Sequence, residues 1–211
     1  MEKFNEIVNK FLDLVFLTVY WLVSCLPVFT IGTATTALYY TVHKVIRRDR
    51  GYASGEYWCA FKENFRTSTA GWLIHLALGL LFADEGYICY QMWADGQSVG
   101  WLWILFLLLE VFNVTMVLIT LPYIARFDDR TGRVMKNAFL IMLANLPRAF
   151  LHTLLLAVFV IAVIFFAPMI LLAPSAYMLL AGYGLEKIFR KYMSPEDLEK
   201  EKEEDRTSDL R

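Results

Sequence analysis

The sequence predicts an all-α protein, a polytopic bundle of transmembrane helices, and three observations support this class. Hydrophobic residues make up 58% of the chain, whereas soluble domains contain about 45–50% apolar residues. They form several runs near the length of about 20 residues that crosses a bilayer. Charged residues are concentrated in three segments between these runs, 42–67, 125–148 and 187–211. We therefore expect a membrane domain over residues 1–192 and a charged cytoplasmic tail over residues 193–211.

The first two predicted helices are joined by a sharp bend. Residues 1–10 carry charged and apolar side chains at helical spacing, which is typical of an interfacial lead-in, and residues 12–28 are apolar enough to span a bilayer. Pro27 lacks a backbone donor and Gly32 permits a turn, so the chain should bend between them. A short helix over residues 33–48 should follow, with small side chains that allow close packing against another helix.

The next segment predicts a surface helix followed by a span. Ser54 can cap a helix over residues 55–66, whose aromatic and charged side chains recur at helical spacing on opposite faces. Such a helix should lie on a membrane surface or against a partner. Residues 69–90 are largely apolar and predict a span, which ends at a short polar turn over residues 93–98.

The second half of the chain repeats this alternation of apolar and charged segments. Residues 99–124 form the most continuous apolar run and predict a span. Beyond a polar connection, residues 133–146 predict a second amphipathic surface helix. Residues 149–167 and 175–188 predict the last two spans, separated by a turn that Pro168 and Pro174 bracket.

The distribution of basic residues predicts the orientation of the bundle. Lys and Arg accumulate on the cytoplasmic side of bacterial membranes. Placing the three charged segments inside leaves the turns 28–32, 93–98 and 167–175 outside, and none of them contains Lys or Arg. This predicts a multi-pass cell-membrane protein with six spans and with both termini cytoplasmic. If helix 33–48 lies in the interface, the count becomes five and the N-terminus lies outside.

Two sequence motifs link the chain to a known family. Residues 26–40 read LPVFTIGTATTALYY, and residues 61–65 read FKENF. Together with Lys44 they resemble the YesL-like family of bacterial multi-pass membrane proteins, a likeness that covers roughly residues 1–192. That family is a domain of unknown function commonly linked to carbohydrate ABC importers. The resemblance implies a sugar-uptake context, and it carries no catalytic residues that could be transferred to this chain.

Several polar side chains within the predicted spans form a candidate intramembrane site. Acidic groups inside a bilayer are costly and are often functional. The candidate residues are Glu110, Asn113, Asp84, Glu85 and His75. Because the turn 93–98 makes two spans antiparallel neighbours, we expect Glu110 to approach the acidic pair. The functional interpretation is an outward-facing cavity that binds a cation, a proton or sugar hydroxyls. The simpler alternative is a hydrogen-bonded polar group packed between helices.

The charged loops form a second candidate region, for contact with a protein partner. The segment 128–148 resembles the cytoplasmic coupling loop of ABC importer permeases, with an acidic-Gly stretch, a helix and then Leu-Pro, although the Glu-Ala-Ala start of that loop is absent. A contact through these loops would involve the permease or its ATPase. The candidate contact residues are Arg47, Arg48, Arg50, Lys62, Arg66, Arg126, Asp128, Asp129, Arg130, Arg133 and Arg148.

Other function classes find little support in the sequence. The net charge of −1 indicates no nucleic-acid partner. Three cysteines without paired spacing predict neither a disulfide framework nor a metal site. Hydrolase, zinc-protease, P-loop and Cys-x-x-Cys motifs are missing, so we expect no enzyme and no cofactor. Outer aromatic residues suit membrane anchoring or a sugar ligand, and small-residue faces allow a homo-oligomer.

These observations lead to two functional hypotheses. The first is a non-enzymatic accessory or partner subunit of a bacterial carbohydrate ABC importer, in contact with the bilayer and with the permease or ATPase. The alternative is a small independent transporter or channel subunit, with the intramembrane acidic residues lining its path. Partner recovery from native membranes discriminates between them.

Overall fold

The structure, a computed structural model, describes residues 2–196, 198, 199, 201 and 203, so most of the tail predicted beyond residue 193 lies outside the described residues. The described part is helical and contains no strand, which confirms the predicted all-α class. The seven α-helices are α1 (Glu2–Ser24), α2 (Ile31–Thr41), α3 (Ala53–Ala94), α4 (Trp103–Arg126), α5 (Thr131–Ala144), α6 (Leu146–Phe165) and α7 (Ala173–Phe189). Short 3₁₀ turns precede α2, α4 and α7, and a π-helical segment, Val42–Ile46, extends α2.

Within the described residues, three helical segments are long and apolar enough to cross a membrane. They are α3, the segment Gly100–Arg126 that contains α4, and α6. This finding is compatible with the predicted membrane-protein class. Six spans were predicted; α2 and α7, with 11 and 17 residues, are shorter than these three segments, and the full number of spans stays a prediction.

Helix α3 is a single helix of 42 residues, whereas the sequence predicted a surface helix over 55–66 and a separate span over 69–90. Thr67, Ser68 and Thr69 are not strong helix breakers, because they leave the backbone hydrogen bonds intact. Instead, their hydroxyls reach a neighbouring helix: the Ser68 and Thr36 hydroxyls lie 3.0 Å apart, and those of Thr69 and Thr33 lie 2.9 Å apart. The polar interruption therefore serves as packing surface for α2.

The predicted bend between the first two helices is present, and its tip rests against the middle of α3. Pro27 precedes a 3₁₀ turn, and the Trp72 indole Nε1 donates a hydrogen bond of 2.8 Å to the carbonyl oxygen of Val28. A Cβ built on Gly32 would lie 2.8 Å from the Ser68 carbonyl oxygen and would overlap Trp72 Cβ. Glycine is therefore required where α2 approaches α3.

The C-terminal half of α3 runs antiparallel to α4, which positions the polar residues described below. Gly86 faces Phe106, and Gly71 faces Ile124 at the other end of the contact. Helix α6 joins α4 through a hydroxyl pair, Thr115 and Thr153, at 2.8 Å. The main apolar core lies where α2, α4, α5 and α7 bury the side chains that face one another.

Helix α5 forms close to its predicted range, but it is half buried. Val134, Ala138 and Met142 face the bundle, while Phe139 packs edge-on against Phe112 of α4 with ring centroids 6.2 Å apart. The remaining face is exposed and combines basic and apolar side chains.

Candidate functional site

The best-satisfied polar group between α3 and α4 is centred on His75. Its Nδ1 lies 2.8 Å from Asn113 Oδ1, and Asn113 Nδ2 donates back to the carbonyl oxygen of His75 at 3.1 Å. The other ring nitrogen, Nε2, lies 3.3 Å from the Thr120 hydroxyl. All three side chains are buried. Both ring nitrogens have partners, so this group suits a structural link between the two helices.

Glu110 lies beside this group, in the space left by a glycine. A Cβ built on Gly79 would lie 3.3 Å from Glu110 Oε1 and 3.2 Å from Asn113 Nδ2. The second carboxylate oxygen, Oε2, is buried and has no hydrogen-bond partner among the described residues. A buried carboxyl oxygen in this position needs a hydrogen-bond partner, which water or a ligand can supply.

The acidic pair predicted to approach Glu110 does not join this group. Asp84 and Glu85 have exposed side chains, and among the described residues neither of them makes a hydrogen bond or an ion pair with Glu110. The structure therefore brings together Glu110, Asn113 and His75, and leaves the other two predicted site residues on the outer surface of α3.

A cavity of about 390 Å³ lies between α2, α4, α6 and α7, and its lining is almost entirely apolar. Trp21, Trp72, Leu118, Phe159 and Tyr177 are among its walls, and none of the five predicted intramembrane residues contributes to it. This cavity differs in position and polarity from the acidic cavity that the sequence predicted.

The most connected polar cluster of the described chain lies around Glu186 of α7, near the C-terminal ends of α2, α4 and α7. Glu186 Oε1 accepts a hydrogen bond of 2.8 Å from the Tyr39 hydroxyl and lies 3.3 Å from His43 Nε2 and 3.2 Å from Arg126 Nε. Only 4% of Glu186 is exposed, and its buried Oε2 has no hydrogen-bond partner within the described part of the chain. A buried charge needs such partners, so this cluster ties α2, α4 and α7 together.

Burial lowers the pKa of His43 below its ordinary value, and the charges of Arg126 and Arg48 add to this effect, while Glu186 opposes it. His43 is therefore neutral near pH 7, and Arg126 supplies the positive charge that balances Glu186. The His43 ring also stacks on Tyr39, with centroids 6.2 Å apart. The cluster therefore contains a buried ion pair between Glu186 and Arg126. Glu186 also contacts the neutral imidazole of His43.

Arg126 extends from this cluster to a second carboxylate, Glu201. Its Nη2 lies 2.9 Å from Glu201 Oε2, and Arg190 Nη2 lies 2.9 Å from Glu201 Oε1. Arg48 also forms an ion pair with Glu201 Oε1. Three arginines from distant parts of the sequence thus converge on one carboxylate.

The predicted partner-contact residues divide into two groups. Arg48 and Arg126 make contacts inside the chain, with side chains 13% and 16% exposed, and the Arg47 guanidinium lies over the Tyr183 ring at 4.1 Å. Asp129 pairs with Arg133 at 3.1 Å and accepts a hydrogen bond from Tyr123. The half-buried Arg50 has further contacts of its own. The residues that offer exposed charge are Lys62, Arg66, Asp128, Arg130, Arg133 and Arg148.

Sequence reasoning missed Glu186, Tyr39 and His43 as members of one cluster. A signal was present, because Tyr39 and His43 are four residues apart and share a helix face. Glu186 is the single acidic residue within the apolar helix α7. Their meeting depends on the packing of α2 against α7, which the sequence alone does not specify.

Comparison with known families gives a partial match. Residues 14–84 match the model of a family described as a protein of unknown function, DUF624. The match covers about one third of the chain, including α2 and most of α3, and it is consistent with the YesL-like resemblance. No curated protein and no solved structure matches this chain.

Proposed function

We propose that this chain is a non-enzymatic membrane protein that acts as an accessory or partner subunit of a bacterial carbohydrate ABC importer. The sugar-uptake context comes from the YesL-like resemblance, with which the family match over residues 14–84 is consistent. The observation that carries the proposal is the exposed face of α5. It presents Arg133 and Lys136 in its first half and Phe139, Leu140 and Leu143 in its second half.

This face has the composition expected of a docking surface on a membrane protein. Exposed aromatic and aliphatic side chains next to basic ones suit a partner that offers an apolar groove with acidic margins. In the proposed topology both termini and α5 are cytoplasmic, because the basic segments lie on that side. The partner would then be the permease or the ATPase of the importer.

The test is a pull-down of the tagged protein from its native membrane in mild detergent, with partners identified by mass spectrometry. Co-purification of a permease and an ATPase is expected for the wild type and should be lost in the variant Arg130→Glu/Arg133→Glu. Arg126 is left unchanged because it holds Glu186. Asp95→Arg, a charge reversal in the opposite turn, is the matched control. Equal recovery from both variants would exclude α5 as the contact surface.

The alternative function is an independent transporter or channel subunit, and the buried, unpartnered Glu110 Oε2 favours it. Proton- or cation-coupled flux in liposomes should then be abolished by Glu110→Gln and preserved by Glu85→Gln, which alters an exposed carboxylate on the neighbouring helix. Normal flux in the Glu110 variant would remove this residue from the mechanism. Recovery of the protein alone in the pull-down would favour this alternative.

A further inference from the structure

The three arginines around Glu201 form a site that the chain builds from three separate elements. Arg48 follows the π-helical segment, Arg126 ends α4, and Arg190 follows α7. Arg126 and Arg48 are mostly buried, whereas 54% of the Arg190 side chain is exposed. The fold therefore holds three guanidinium groups at one place near the ends of the helices.

The position of these groups is fixed by the core and not by the tail alone. Arg126 contacts Glu186 through Nε and Glu201 through Nη2, so its guanidinium is oriented from the buried side. Bringing three like charges together is unfavourable unless an anion lies between them. Glu201 supplies that anion, with Oε1 facing Arg48 and Arg190 and Oε2 facing Arg126.

A phosphate group matches this arrangement at least as well as a carboxylate. The planar guanidinium group of arginine binds carboxylate and phosphate oxygens with the same geometry. A phosphate group has enough oxygens to contact each guanidinium separately. We propose that Arg48, Arg126 and Arg190 form a binding site for a phosphate group, and that Glu201 occupies this site as a built-in competitor. The phosphate belongs either to an anionic lipid headgroup or to a soluble phosphorylated small molecule.

The location of the site explains how a phosphate group can displace Glu201 from the three arginines. Glu201 lies 11 residues beyond Arg190 and beyond the end of α7, so its displacement does not require α7 to unfold. The arginines stay in place because they belong to the bundle. Binding of phosphate would then release the tail, and this goes beyond the accessory role proposed above.

The test measures binding of two probes to the full-length protein in dodecyl maltoside by calorimetric titration. The lipid probe is short-chain phosphatidylglycerol, with short-chain phosphatidylcholine as its neutral counterpart, and the soluble probe is glucose 6-phosphate, with glucose as its counterpart. Glu201→Gln should bind at least one phosphate probe about tenfold more tightly than the wild type, since a competing charge is removed. Glu199→Gln, an exposed acid on the same tail, should bind like the wild type.

The outcomes separate the sources of the phosphate and can overturn the site. Tighter binding of phosphatidylglycerol alone assigns a lipid headgroup, tighter binding of glucose 6-phosphate alone assigns a soluble ligand, and adding Arg190→Gln should reverse the gain. The proposal fails if folded Glu201→Gln binds neither probe more tightly than Glu199→Gln does. If Glu201→Gln does not fold, the wild type and Arg190→Gln are compared at millimolar probe, and equal responses, including none in either, overturn it.

Discussion

His75 and Asn113 are linked twice across the interface of α3 and α4, once between side chains and once from the Asn113 amide to the His75 backbone. Removing one partner leaves buried polar atoms without a hydrogen bond, which costs more than the bond itself contributes. Interhelical hydrogen bonds in membranes are modest, at about 0.6 kcal/mol on average. The double link should therefore exceed that average.

The first prediction concerns this link. Asn113→Leu should lower the free energy of unfolding by about 1–3 kcal/mol, measured by denaturation with SDS from mixed micelles. The double variant His75→Leu/Asn113→Leu should lose less than the sum of the two single variants. Asp84→Asn, which alters an exposed side chain, is the control and should have little effect. Strict additivity of the two substitutions would show that the pair is not coupled.

The second prediction concerns the close approach of α2 to α3. Gly32→Ala places a methyl group onto Trp72 Cβ and the Ser68 carbonyl oxygen, so we expect a loss of about 1–3 kcal/mol from overpacking. Gly71→Ala is the matched control, because its new methyl group would lie 3.7 Å from Ile124 Cδ1, an ordinary contact distance. Thermal unfolding in detergent would measure both. Similar midpoints for the two variants would contradict the close approach.

The third prediction tests the buried cluster at Glu186. Glu186→Gln removes one of the two buried carboxylates that Arg126 contacts, so we expect a cost of up to about 3–5 kcal/mol, the range for breaking a buried ion pair. Tyr39→Phe removes one hydrogen bond to the carboxylate and should cost about 1.5–3 kcal/mol. For comparison, Glu56→Gln breaks the more exposed pair with Lys44, where we expect at most about 1 kcal/mol. A Glu186 variant as stable as the Glu56 variant would mean that the cluster contributes no stability.

The fourth prediction is a dependence of stability on pH through His43. Its pKa is lower in the folded protein, so the unfolded chain takes up the proton first as pH falls through about 6.5. The stabilisation that comes from keeping His43 neutral should therefore be complete above that pH. The free energy of unfolding should decrease as pH falls below it. The groups that face His43 are Tyr39, Glu186, Arg126 and Arg48.

The measurement is the unfolding midpoint in detergent at pH 7.5 and 5.5 for the wild type and for His43→Gln. The other histidines remain in both proteins, so the difference between the two profiles isolates His43. A smaller decrease is expected in the variant. Parallel profiles would show that His43 does not titrate differently in the folded and unfolded states.

The sequence predicted those features that depend on local composition. The apolar run over residues 99–124 corresponds closely to the segment Gly100–Arg126, and the bend at Pro27 is present. The division of α3 into two helices was wrong, because the polar residues at 67–69 face α2 instead of ending the helix. Composition alone does not distinguish a polar packing face from a break.

The candidate sites depended more strongly on packing between distant segments. The short turn between antiparallel helices predicted that Glu110 would approach Asp84 and Glu85, whereas the structure places it beside Asn113, which contacts His75. The clusters at Glu186 and Glu201 join residues that are more than 140 positions apart. Such contacts are fixed by how α2 and α7 pack, and a single sequence contains no direct record of that packing.

The hydrogen bond from Trp72 to Val28 also fixes the position of the first bend along α3. Trp72 lies 21 residues before Trp93 on the same helix, which corresponds to about 32 Å at helical rise. This distance equals the whole hydrocarbon thickness of a bilayer, about 30 Å. If this part of α3 crosses a bilayer, the turns at 28–32 and 93–98 lie near opposite surfaces, which differs from the prediction that both face outside.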